Sequence, residues 1–198
     1  LRITLIAALM AGTLATPALA QDDPPPPPPA SPMSGFRVEA LAGWDHTEIL
    51  GDDDGGILYG IGIGYDFQTG RAVLSIEAEA NDSTNNGCIT GIVNANDRFC
   101  VTSGRDLYVG ARAGFLVGRN VLLFGKAGYT NARYVSEYDD AGAGIHDRYG
   151  TNLDGIRVGA GAQFGVGRNA YLRTEARYSN YEGGGDRGAL LAAFGFRF

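Results

Sequence analysis

The sequence predicts an all-β chain: eight antiparallel strands, joined up and down, closed into a barrel that crosses a membrane. Three observations carry this reading. Eight segments alternate apolar and polar residues with a period of two, as strands with one greasy face do. The motif Phe-x-x-Gly-Arg occurs at residues 67–71, 115–119 and 164–168, at steps of 48 and 49 residues, so one structural unit is repeated. All eight prolines precede residue 34, and 35–198 lacks the residue least tolerated inside a sheet.

The segment before the domain has its own logic. Arg2, the apolar run Ile3 to Met10 and the small-x-small site Ala18-Leu19-Ala20 read as a signal peptide over 1–20, cut before Gln21. The run is shorter than the roughly 20 residues a spanning helix needs. Residues 21–34 form a Pro-rich leader, and Pro24 to Pro29 favour an extended polyproline helix. The domain then occupies 35–198.

The strands follow in order. The first sets Phe36, Val38, Ala40, Ala42 and Trp44 against Arg37, Glu39, Leu41 and Gly43. The second sets Ile57, Tyr59, Ile61, Ile63, Tyr65 and Phe67 against Leu58, three glycines and Asp66. After Gln68-Thr69-Gly70, the third sets Leu74, Ile76, Ala78 and Ala80 against Val73, Ser75, Glu77 and Glu79. The fourth sets Leu107, Val109, Ala111, Ala113, Phe115 and Val117 against Asp106, Tyr108, Gly110, Arg112 and Gly114. The fifth, from Val121, carries Lys126 on its polar side in a less regular phase. The sixth sets Ile156, Val158, Ala160, Ala162, Phe164 and Val166 against Arg157, Gln163 and glycines. The seventh sets Leu172, Ala176 and Tyr178 against Arg173, Glu175 and Arg177. The eighth sets Leu190, Ala192, Phe194, Phe196 and Phe198 against Leu191, Ala193, Gly195 and Arg197. Tight turns follow strands two, four and six. Long connections, expected as loops, fall near 45–56, 81–104, 135–154 and 179–188.

Alternation alone leaves open which face meets water. Three features place the polar face inside. Glycines share that face with the charges, and inside a narrow eight-stranded barrel they leave room for long Arg and Glu. Aromatics gather at strand ends (Trp44, Tyr65, Phe67, Phe115, Tyr129, Phe164, Tyr178 and Phe198), as girdles at two membrane interfaces do. The strands also match the 9–11 residues of a tilted crossing.

On that reading Arg37, Glu39, Glu77, Glu79, Arg112, Lys126, Arg157, Arg173, Glu175, Arg177 and Arg197 share one lumen. Unpaired buried charge costs several kcal/mol, so they are expected to form a plugging Arg–Glu network, with Glu77 and Glu79 facing Arg112 and Glu175 facing Arg157. A narrow gated pore is the alternative, since rearranged ion pairs open a water path. Export and an even cysteine count predict a Cys88–Cys100 disulfide stapling a loop. His46 and His146, both expected in loops, lack the partners of a catalytic site, so no enzyme is expected. Asp52 to Asp54 and Asp139-Asp140 read as solvated charge rather than a metal site, and no cofactor is implied. The formal charge of -6 excludes a nucleic-acid binder, which needs a basic face.

A signal segment, eight alternating strands, short turns against long loops, and the ending Ala-Phe-Gly-Phe-Arg-Phe together resemble the small outer-membrane barrels: the opacity-protein family and the membrane domain of outer-membrane protein A. The resemblance covers 35–198. It implies a place in the bacterial outer membrane, reached through the secretory pathway and surrounded by lipid and lipopolysaccharide. It implies that Phe194, Phe196 and Phe198 are read by the barrel-assembly machinery. It also implies a structural or surface-interaction role of adhesin or opacity type, with an extracellular ligand at the loops. A narrow porin and, further off, a lipid-modifying enzyme or a soluble lipocalin-type carrier are the rival classes.

Overall fold

The computed structural model describes residues 33–49, 52–91, 97–140, 142, 144–182 and 185–198. The expected signal peptide and all of the leader except Met33 and Ser34 lie outside the described residues. Among these, the strands are β1 (Gly35–Ile49), β2 (Asp52–Thr69), β3 (Ala72–Ser83), β4 (Asn86–Thr90), β5 (Asp97–Val117), β6 (Val121–Asp140), β7 (Ile145–Val166), β8 (Ala170–Tyr181) and β9 (Gly185–Arg197). β3 and β4 form one stave, because both pair with β5 and only Thr84 and Asn85 separate them. Neighbours run β3-β2-β1-β9-β8-β7-β6-β5, and β3 pairs with β5. The result is an antiparallel up-and-down ring of eight staves with no edge left within it.

The repeated Phe-x-x-Gly-Arg marks one end of this ring. Gly70, Gly118 and Gly167 sit in the three short turns with φ of 60°, 69° and 78°, a left-handed conformation that costs glycine little. Phe67, Phe115 and Phe164 lie on the outer wall just before these turns and are exposed.

Burial is inverted relative to a soluble barrel. Ile61 is 64 % exposed and Ile76 62 %, while Arg37, Arg157 and Arg173 are 0 % exposed. An apolar outer wall needs lipid against it, and ring closure satisfies the backbone there.

The four connections expected as loops are mostly strand. β5, β6 and β7 have 21, 20 and 22 residues, about twice what a crossing needs. Their ladders continue above the apolar band, with Arg133 opposite Asn152 and Glu137 opposite Arg148. Beyond the lipid the outward residues become polar, so an apolar period stops marking a strand that continues. His46 and His146 accordingly sit in β1 and β7 rather than in loops. The irregular phase of the fifth predicted strand also has a cause. Leu122 points inward and packs with Met33, Val73 and Leu116, an apolar cluster at the short-turn end.

Charge on the outer wall is expected to cost what lipid exacts. Ile61→Arg near mid-barrel should destabilise the protein by about 2–4 kcal/mol, and Thr102→Arg above the band by about 0–1 kcal/mol. Urea unfolding in phospholipid vesicles checks both; equal costs would contradict the inverted wall.

Candidate functional site

The alternation that greases the outer wall sends every second side chain into the lumen, and strand register decides which meet. At the short-turn end Asp66 accepts from Arg37 Nε at 3.1 Å, from Arg112 Nη2 at 3.0 Å and from Arg197 Nη2 at 2.5 Å. Arg37 also contacts Glu77 and, at 3.1 Å, Glu39. At mid-height Lys126 Nζ lies 2.6 Å from Glu79, 3.0 Å from Glu77 and 3.1 Å from Glu175. Arg173 reaches Glu39 at 2.7 Å, Glu79 at 3.4 Å and also Glu175, and Arg177 reaches Glu79 at 2.8 Å. Toward the far end Asp106 receives Arg157 and, at 3.3 Å, Arg187. Arg187 also holds Asp45, which accepts from the Ser83 hydroxyl at 2.9 Å.

Aromatic faces fill the space between the ions. Lys126 Nζ stands 4.4 Å from the Tyr108 ring centroid, and Arg112 Cζ 4.9 Å from that of Phe124, within cation–π range. Glycines make the room. A β-carbon at Gly62 would come within 2.8 Å of Glu39 Oε1, and one at Gly64 within 2.9 Å of Arg37 Cζ. Against β1, β2 and β9, Leu41, Leu58, Leu191 and Ala193 form a separate apolar cluster inside.

All eleven ionic residues singled out from the sequence face this interior, and ten of them connect through shared ion pairs, Arg197 by way of Asp66 at the short-turn rim; Arg157 instead joins Asp106 and Arg187 toward the far end. Of the expected pairings, Arg112 does reach Glu77, at 3.8 Å, while lying closer to Asp66. Arg157 does not meet Glu175, because register sets Arg157 opposite Ser179 and Glu175 opposite Gly161, further along the strand. Sequence reasoning missed Asp45, Asp66, Asp106 and Arg187. Asp66 and Asp106 were in phase with the polar face; Asp45 and Arg187 lay in stretches taken for loop.

Above the apolar band, β4, β5, β6 and β7 form a protruding sheet. Cys88 and Cys100 face each other across β4 and β5 and are joined by a disulfide. His146 Nδ1 contacts Asp139 directly across β6 and β7. Asp140 is buried and accepts from Gly142 N at 2.9 Å. The Tyr138 hydroxyl donates to Asp97 at 3.2 Å; desolvation and then that carboxylate push its phenol above the ordinary range. From Ile145 to Leu153, β7 has no strand on its second side among the described residues, since pairing with β8 begins at Gly155 and Asp154 O accepts from Glu182 N. At the other rim Phe194, Phe196 and Phe198 point outward, and the first two rings pack edge to face at 5.1 Å.

Comparison with known proteins agrees with this architecture. The family model of the outer membrane protein β-barrel domain matches residues 6–198. The attachment invasion locus protein of Yersinia pestis superposes with a TM-score of 0.57 at 15 % identity, over 84 % of this chain and 100 % of that one. Neisserial surface protein A gives 0.58 at 18 %, over 83 % and 98 %. No curated protein matches the chain by sequence.

Removing one hub of the lumen is expected to expose the cost of unbalanced charge. Glu79→Gln leaves Lys126, Arg173 and Arg177 facing a neutral amide and should destabilise by about 3–5 kcal/mol. Glu137→Gln, exposed on β6, should stay within about 0.5 kcal/mol. The urea midpoint in vesicles distinguishes them, and equal values would mean the network carries no stability.

Proposed function

The chain belongs to the outer membrane protein β-barrel domain family, and from that membership we propose that it is a surface-interaction protein: a barrel whose lumen is plugged and whose protruding sheet meets an extracellular ligand. The carrying observation is the asymmetry between the two ends. Among the described residues, one end has short glycine turns, whereas the other carries a stapled sheet in which β7, from Ile145 to Leu153, is paired only with β6. An unpaired edge offers backbone donors and acceptors to an incoming strand. The attachment invasion locus protein was crystallised with the heparin analogue sucrose octasulfate, which supports an extracellular ligand for this chain as well.

The plug rests on the density of ion pairs around Lys126 and on the apolar cluster at Met33. The proposed role is non-enzymatic, with His146 engaged by Asp139 on an exposed face. Export by residues 1–20 through the secretory pathway, and recognition of Phe194, Phe196 and Phe198 by the barrel-assembly machinery, complete the proposal.

Two measurements test it. In planar bilayers the protein and its Glu77→Ala variant should show no channel events; steady single-channel currents from the wild type would establish the narrow pore instead. Displayed on a non-adherent bacterium, the protein should raise attachment to host cells. Asp154 O accepts from Glu182 N at 2.8 Å, so backbone groups at 154, 152 and 150 point to the free side of β7. Asn152→Pro therefore removes an edge donor without breaking the β6 ladder, and attachment should drop toward background. Attachment equal to that of the undecorated bacterium before any substitution would refute the surface role.

A further inference from the structure

The outer face of the protruding sheet carries a cluster of arginines that the lumen network does not use. A bulge between Ser103 and Asp106 turns both of those residues inward. Arg105 is left on the outside, where its Nη2 lies 3.5 Å from Asn152 Oδ1. Asn152 is directly opposite Arg133. The Arg133 guanidinium turns its Nε–Nη2 edge toward Gly150: a β-carbon there would meet Nη2 at 3.1 Å and Nε at 3.4 Å. Arg133, Val135, Arg148 and Gly150 line a cleft of about 440 Å³. Among the described residues no carboxylate lines it. Glu137 faces Arg148 across the ladder yet forms no ion pair with it among the described residues. Asp154 is already engaged, by Asn131 at 2.6 Å and by the Tyr129 hydroxyl.

The height of the cleft is informative. Tyr129 belongs to the exposed aromatic girdle, and Arg133 is four residues further along β6. At about 3.3 Å per residue and a tilt near 40°, the cleft stands roughly 10 Å above the girdle on the wall that faces the membrane. That is the headgroup layer. Two guanidiniums that form no ion pair among the described residues suit phosphate, which Arg binds through paired N–H donors.

We propose that Arg133 and Arg148, flanked by Arg105, bind the phosphate groups of the outer-leaflet glycolipid. The site would hold the barrel at a fixed depth and dock the base of the sheet onto the membrane surface. This rests on the outer-membrane reading of the preceding section and is separate from the ligand at the β7 edge.

The test presents bisphosphorylated lipid A, or the same lipid enzymatically dephosphorylated, to the folded protein in zwitterionic detergent micelles. Wild type should bind the phosphorylated form about tenfold more tightly or better, as two basic residues at an anionic lipid surface allow. Arg133→Gln/Arg148→Gln should erase that preference, and Arg119→Gln, in a turn at the opposite end, should keep it. Millimolar inorganic phosphate should fail to displace the lipid. Equal binding of the two lipids by wild type, or an unchanged preference in the double variant, overturns the site; displacement by inorganic phosphate overturns it in favour of a small-anion site. Heat-modifiable gel mobility on the same samples reports the barrel independently. Its loss in the wild type would sink the membrane reading, whereas its retention alongside equal lipid binding sinks only the arginine cleft.

Discussion

Lys126 places one ammonium among Glu77, Glu79 and Glu175, all within 3.1 Å. The rest of the barrel follows from the need for such a point. Lipid forbids charge on the outer wall, and a two-residue period sends whatever is not outside to the inside. Eight staves enclose a space only about wide enough for side chains. The residues that fill it are therefore long, polar and crowded, and crowding in a low dielectric is tolerable only when each charge has several opposite neighbours. The Arg37, Arg112 and Arg197 triad on Asp66 and the Arg157 and Arg187 pair on Asp106 repeat the solution at other heights. Glycines at 62 and 64 are its geometric counterpart, since volume taken by Glu39 and Arg37 must be given up opposite them.

The faces were legible in the sequence because they depend only on parity. Once Arg37 is in, Val38 is out, whatever the tilt of the strand. Partners were not legible, because they depend on register around the ring. Arg157 and Glu175 share an interior and adjacent strands, yet pairing sets Arg157 against Ser179. Strand ends failed for a different reason. The apolar period reports contact with lipid rather than hydrogen bonding, so Asp45 and Arg187, which lie past the girdle, looked like loop although their ladders continue. Met33 carried no signal at all. It lies in a proline-rich stretch, and its burial against Val73, Leu116 and Leu122 depends on where the mouth of the barrel happens to be. The cysteine pairing was legible, since two thiols allow one bridge. That it would span β4 and β5 face to face was not.

The two ends of the molecule obey different solvents, and the difference bears on where recognition can occur. Below the girdle, shape is dictated: lipid outside, paired charge inside, little freedom to vary. Above it, β5 to β7 run on beyond the hydrocarbon, where neither face must be apolar and the ladder itself supplies rigidity. The edge of β7 is a hazard there, because unpaired backbone invites association. Its sequence, His146-Asp147-Arg148, is charged, which discourages a flat, apolar copy of itself from stacking on it. The same charges do not discourage a chain with complementary signs. On the proposed surface role, an edge guarded by mixed charge on a disulfide-stapled sheet would discriminate between partners. That is the property a surface-contact protein needs, and one that a bare eight-stave barrel lacks.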